Sequence, residues 1–285
     1  MPTSRLAITK LYIDSQFRSD SSDSSSDFDI RLPTSVELPE NCCCIVDEVC
    51  IPNTFQSIIA GVNNHLYAKI TNAVGVSTIC NIPIAEGSYD GTEFATLIGA
   101  ELNNCLIGLP NPGFFTYYNQ KTNRLTISCL NAASIVSFKI YSDAQLAAGS
   151  TELTYITYDK NNIMSCNDLL RNYINITGSY SSGNPFVSGF LNLIGYSELY
   201  ITSSTLGTFS TLNCFGNYNI IKKVQVSQSY GNNITSSAGS HYDHIKCGGQ
   251  TLRKLSFKVN DAKGNNINLG GSHWSTSLIF FVLNE

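Results

Sequence analysis

Apolar and polar side chains alternate over 251–261, where Leu255, Phe257 and Val259 interleave with Lys254, Ser256 and Lys258. Successive side chains of a strand point to opposite faces, so this pattern predicts a strand with one buried and one solvated face. The following stretch, 274–283, is apolar at both parities and carries no charge, as expected of a central strand covered on both sides. Near the N-terminus the alternation recurs at 6–14, at 28–32 (Phe28, Ile30 and Leu32 against Asp29 and Arg31, ended by Pro33) and at about 43–51, which stops at Pro52 and Asn53. Further strands are expected at 198–203, 218–227 and about 241–247, with glycines in the loops between them.

The middle of the chain carries a different pattern. Strand-like text at 65–70 and 76–82 precedes a helical one, in which Phe94, Leu97, Ile98 and Leu102 share a face and Asp90 or Thr92 can cap the start. Strands at 114–118 and 124–129 flank the turn 119–123, another strand is expected at 135–141, and a second short helix around 167–173 with Asn167 as its cap. Three strands before residue 60 and five after 197 make eight, the number in a jelly roll. The fold predicted is therefore mainly β: a single jelly-roll β-sandwich of eight antiparallel strands with an inserted α+β domain. The parts run 1–61, 62–190 (the insert) and 191–285. An acidic, Ser-rich stretch at 18–27 reads as a solvated loop inside the first part.

Composition narrows the function. The net charge is -4 without a basic run, which argues against nucleic-acid backbone as the main partner. Only 13% of residues are charged, about half the usual share. Such a surface fits either a Ser- and Asn-rich source proteome or burial between subunits, where charge is depleted. No apolar run has the roughly 18 residues a membrane helix needs, and the start of the chain lacks the apolar core of a signal peptide. The ten cysteines include the contiguous Cys42, Cys43 and Cys44, and others sit in apolar strand text. They are read as reduced thiols of a protein made in a reducing compartment, which makes the sequons at Asn175 and Asn233 chance matches.

No motif announces catalysis. There is no G-x-S-x-G, P-loop or G-x-G-x-x-G, and the adjacent carboxylates of Asp47 and Glu48 point apart on a strand. His241, Asp243, His244 and Cys247 are metal-type side chains, but His244 would face away from His241 and Asp243, so the segment reads as a solvated or interface loop. Trp274, at the head of an apolar strand, reads as a core or interface anchor. The aromatics Phe114, Phe115, Tyr117 and Tyr118 read as packing for the insert; exposed, they would mark an outward-facing attachment module.

Both flanks carry an ordered set of segments: LYIDSQFR (11–18), DFDIRLP (27–33), VDEVCIPNT (46–54), GYSELYITS (195–203), LRKLSFKVNDAKG (252–264) and WSTSLIF (274–280). This set resembles the penton, or minor capsid, proteins of virophages and Polinton-like viruses. The resemblance implies a single jelly roll forming a homopentamer at the fivefold vertices of an icosahedral capsid, beside double-jelly-roll major capsid proteins. It implies a virion location and no catalytic residues; the reduced thiols point to assembly inside the host cell, and no cofactor or bound metal is expected. Candidate subunit-interface residues are Tyr200, Trp274, His241 and Asp243, and the insert is expected to face outward. The alternative is a jelly-roll attachment or carbohydrate-binding module acting through the inserted domain.

Overall fold

The computed structural model describes residues 10–60, 63–105, 113–130, 135–141, 181–207, 211–239 and 243–283. The helix expected at 167–173, the Asn175 sequon and His241 lie outside them. In chain order the strands begin with β1 (Lys10–Asp14), β2 (Asp27–Leu38) and β3 (Cys42–Pro52). Then come β4 (His65–Asn72), β5 (Ser77–Pro83), the helix α1 (Gly91–Asn104), β6 (Phe114–Asn119), β7 (Arg124–Cys129), β8 (Ile135–Ile140) and β9 (Phe186–Val187). The chain closes with β10 (Glu198–Thr202), β11 (Ile220–Gln225), β12 (Asn233–Ser237), β13 (Ile245–Lys246), β14 (Gln250–Asn260) and β15 (Ser275–Val282). They gather into two compact units, Met1–Phe55 with Tyr196–Glu285, and Gln56–Gly195.

The first unit is the jelly roll. One sheet runs β1-β15-β3-β12, with β13 continuing along β3 beyond β12; the other runs β11-β10-β14-β2. All of these pairings are antiparallel. Taking β12 and β13 as one interrupted edge strand leaves the predicted eight. The core lies between the sheets, with Val49, Ile51, Leu278 and Phe280 from one meeting Leu199, Ile201, Leu255, Phe257 and Val259 from the other. Burying each such side chain is worth about 1.5–3 kcal/mol. The alternation at 254–259 resolves as expected: Lys254 and Lys258 face out and pair with Asp29 (2.6 Å) and Asp27 (2.7 Å) of β2.

Three details depart from expectation. Strand β2 does not end at Pro33 but continues to Leu38. It is an edge strand, and its register with β14 shifts between Leu252 and Lys254, so no ladder bond is asked of the proline nitrogen. Strand β12 holds a single buried apolar residue, Ile234, too few for an alternation to register, while the strand expected at about 241–247 is observed only as Ile245–Lys246. Strand β15 is central, between β1 and β3, but only its inner face is fully covered; Ile279 and Phe281 on its outer face are half-buried.

The second unit has its own core. Strands β5-β4-β8 form one sheet and β6-β7-β9 another. Helix α1 starts with Asp90, whose carboxylate accepts from Thr92 and Glu93 N–H while the Glu93 side chain accepts from Asp90 N–H. Of the two candidate caps, Asp90 is the one used, and Glu93 makes the cap reciprocal. The helix buries Phe94, Ile98 and Leu102, and Gly99 lets it close on β6, because a Cβ there would meet Thr116 Oγ1 at 2.4 Å. The 119–123 turn forms as expected, with Asn119 Oδ1 accepting from Lys121 N–H at 3.0 Å and Asn123 in the left-handed region at φ 48°. Back in the jelly roll, the chain leaves at Phe55 and returns at Tyr196, and these two rings meet edge to face 5.4 Å apart.

Candidate assembly interface

Of the residues singled out for an interface, Trp274 is placed inside the sandwich. It is 2% exposed, its indole N–H donates to the Ser25 carbonyl at 2.8 Å, and its ring lies edge-on to Phe28 and Phe257. It belongs to the core and offers no surface to a neighbour. The cause is register: Trp274 shares the inward parity of Leu278 and Phe280. Asp243 is exposed, and the adjacent His244 ring lies edge-on to Phe281.

Tyr200 is half-buried on the outer face of β10. Its hydroxyl donates to Glu198 Oε2 at 3.1 Å, and Lys223 Nζ of β11 lies 2.5 Å from Glu198 Oε1. The lysine's hydrogen bond holds the Glu198 carboxyl below its usual range, against the opposing pull of desolvation. Partial burial, then the bond to Glu198, raises the Tyr200 phenol. The face thus presents charges already neutralised within the subunit, which a neighbour can cover at lower desolvation cost than free ions.

Two exposed apolar features were not legible as such. On the edge strand β1, Tyr12 points outward at 74% exposure, and Phe17, in the 3₁₀ turn Ser15–Phe17 that follows, is 71% exposed. Together with Asp14, Glu48, Cys50 and Ser277 they line a groove of about 330 Å³. The second feature is the loop between β10 and β11. A bridge between Leu212 and Tyr218, the Asn213 N–H to Asn217 carbonyl bond and Gly216 at φ 84° close a tight turn that exposes Leu212, Phe215 and Tyr218. Asn213 Nδ2 anchors it to the Ala262 carbonyl at 2.9 Å. The outward parity of Tyr12 alongside Lys10 was a usable signal; the 212–218 text has too few alternating residues to read as anything but loop.

Topology sets these features apart. Strands β1 and β2, joined by residues 15–26, form one flank of the sandwich, and β11 and β12, joined by the turn 226–232, form the other. The groove lies beside β1, and the loop leads into β11, the edge strand on the other flank. The two flank features carry apolar side chains of the size that anchors subunit contacts.

In the second unit, the sheet β6-β7-β9 turns Phe114 and Tyr118 inward and Phe115 and Tyr117 outward, the latter two each 54% exposed. Thr126, Ser128 and Val187 share that outer face by register. A groove of about 610 Å³ beside it is lined by Thr92, Thr96, Thr116, Tyr117, Asn119 and Lys121. Among the described residues, no helix is long and apolar enough to cross a membrane.

Known structures share this architecture. The chain superposes on the mavirus penton protein with a TM-score of 0.57 at 12% identity, covering 96% of this chain and 99% of that one. It superposes on a chain of the Sputnik virophage with a TM-score of 0.51 at 14% identity, covering 96% and 98%. No family model matches the sequence, and no curated protein does. The fold is thus a virophage-penton fold along almost the whole chain, jelly roll and insert together.

Proposed function

We propose that this chain is a structural capsid protein, a penton that assembles as a homopentamer at the fivefold vertices of an icosahedral virion beside double-jelly-roll major capsid proteins. The observation that carries the reading is the end-to-end likeness to the mavirus penton protein, which includes the insert and both flanks. The surface supports it. A jelly roll whose two flanks differ closes into a ring when one flank of each subunit meets the other flank of the next, a heterologous contact closed by rotation. Here the Tyr12/Phe17 groove of one copy receives the Leu212/Phe215/Tyr218 loop of its neighbour. The loop brings no charge of its own into the contact. The protein works by packing and symmetry and carries out no reaction. It resides in the virion and assembles within the host cell, where its thiols stay reduced.

The test is the mass of the purified chain and its place in the particle. A fivefold assembly in solution and density for this chain at the fivefold vertices are expected. Phe17→Ser and Phe215→Ser should each dissociate the ring while leaving the subunit's thermal midpoint within about 2 °C, as for exposed positions. Density at threefold or general shell positions, or on the genome, refutes the proposal.

A second reading follows from the outward-facing Phe115 and Tyr117. Within the pentamer the inserted unit faces outward and binds host-surface glycan, with the aromatics as stacking platforms and the neighbouring threonines, Asn119 and Lys121 as hydrogen-bonding groups. Binding to a glycan array that is abolished by Phe115→Ala with Tyr117→Ala, with the fold intact, is the expected result. An array without signal refutes it.

A further inference from the structure

The described cysteines are all free, and most are buried. Two of them are opposite one another across strands. The β13–β3 register pairs Ile245 with Cys44 and Lys246 with Cys43, which places Cys247 opposite Cys42. The Cys247 N–H donates to the Cys42 carbonyl at 3.0 Å, and Cys247 Sγ lies 3.8 Å from the same oxygen. Both side chains point into the sandwich core, and the Cys247 thiol donates to the Cys42 carbonyl. Residues directly opposite in an antiparallel pair hold their Cα atoms about 4.5–5.5 Å apart, inside the roughly 4.4–6.8 Å that a disulfide spans. Within this sheet the alternatives are worse placed: Cys43 has the opposite parity, and Cys44 faces inward but opposite Ile245. The register is also pinned. A Cβ on Gly248 would meet the Glu40 carbonyl oxygen at 2.1 Å and that of Pro39 at 2.4 Å, so only glycine lets the chain pass there.

We infer that Cys42 and Cys247 form a latent disulfide site, which closes in an oxidising medium and staples β13 to β3. The inference stands apart from the capsid reading, since it rests on the pairing of two strands within one subunit. Burial raises both thiols above their ordinary range and keeps them protonated, so the folded pair reacts slowly. Strand β13 is two residues long and lies at the sheet edge, so its opening is the route by which an oxidant reaches the pair. With a small disulfide such as oxidised glutathione, the thiolate of one cysteine attacks a glutathione sulfur. A mixed disulfide forms and one glutathione leaves, taking up a proton. The second cysteine then attacks the protein-side sulfur and releases the second glutathione. Two protein thiols lose two electrons, and one oxidised glutathione becomes two reduced ones. The cross-link joins positions 205 apart and so encloses the whole insert.

The experiment incubates the full native chain with oxidised glutathione, or keeps it in reductant, then unfolds and alkylates it and measures its intact mass. The oxidised sample should lack two alkyl groups, and proteolysis at Lys and Arg should yield the 247–253 peptide linked to the one holding Cys42. The link should persist in Cys43→Ser and disappear in Cys42→Ser and Cys247→Ser; if a variant fails to fold, fragmentation of the linked wild-type peptide, which also holds Cys43, Cys44 and Cys50, identifies the bridged sulfur. The oxidised protein should melt roughly 5–10 °C higher, and reductant should reverse the shift. Full alkylation after prolonged oxidant treatment, a link that excludes Cys247, or an unchanged midpoint in the cross-linked protein would overturn the inference.

Discussion

Replacing Trp274 by Phe separates a core role from an interface role for this side chain. The indole is 2% exposed and bonded through Nε1 to the Ser25 carbonyl, itself buried. Phenylalanine keeps the contact with Phe28 and Phe257 in part but cannot donate. An orphaned buried acceptor costs about 1–3 kcal/mol, and the lost ring leaves a cavity beside two aromatic neighbours. The sum expected is about 2–4 kcal/mol, against about 3–5 kcal/mol or more for Trp274→Ala. Urea unfolding followed by far-UV circular dichroism measures it. The loss should be the same at every protein concentration, because no second subunit is involved. The wild type supplies an internal check, since Trp274 is its only tryptophan and reports on the jelly roll alone. Its emission should stay blue-shifted on dilution and move to the red only on unfolding. A change below about 0.5 kcal/mol, the range typical of surface positions, or an emission that reddens as subunits dissociate, would refute the core assignment.

Replacing residues 56–195 with a short Gly/Ser linker should leave a soluble β protein; aggregation or loss of the β signal would show that the insert is required by the jelly-roll core. Gly99→Ala should destabilise the second unit by about 1–3 kcal/mol through the clash with Thr116, typical of overpacking, and Thr116→Ala in the same chain should recover part of that loss in thermal melts. Asp29, Asp47 and Glu198 are held below the ordinary carboxylate range by hydrogen bonds from Lys254, Lys10 and Lys223. Their pairing is therefore at full strength above the unfolded range near pH 4 and fades as pH falls through the lower folded-state values. The urea midpoint should drop between pH 6 and pH 3, with a smaller drop in Asp29→Asn; a midpoint that rises on acidification contradicts the pairing.

Much of this architecture could be read from the chain, for definite reasons. Leu255, Phe257 and Val259 alternate because one face of β14 meets the opposing sheet and the other meets water. Asp90 announces the start of α1 because orphan N–H groups there need an acceptor. Where burial does not decide, the pattern is silent. Strand β12 pairs with β3 through backbone bonds and holds only Ile234 in the core, so its side chains carry little period. Pro33 reads as a stop, yet at a sheet edge with an irregular register a missing N–H costs nothing. The candidate interface was least legible of all. Apolarity alone cannot tell Trp274, facing the core, from Tyr12, facing out; that depends on strand parity, and parity became certain only once β1 and β15 were paired.

The meeting of Phe55 and Tyr196 has a consequence for what this scaffold can carry. A sandwich that closes its own seam places few demands on the chain between the two rings, beyond that its ends come back together. Closure entropy changes by only about 0.6 kcal/mol when such an excursion is halved or doubled in length. The position is thus an open socket. A foreign domain whose termini lie a few ångströms apart can be spliced there, and the jelly roll would present it as an interchangeable cassette.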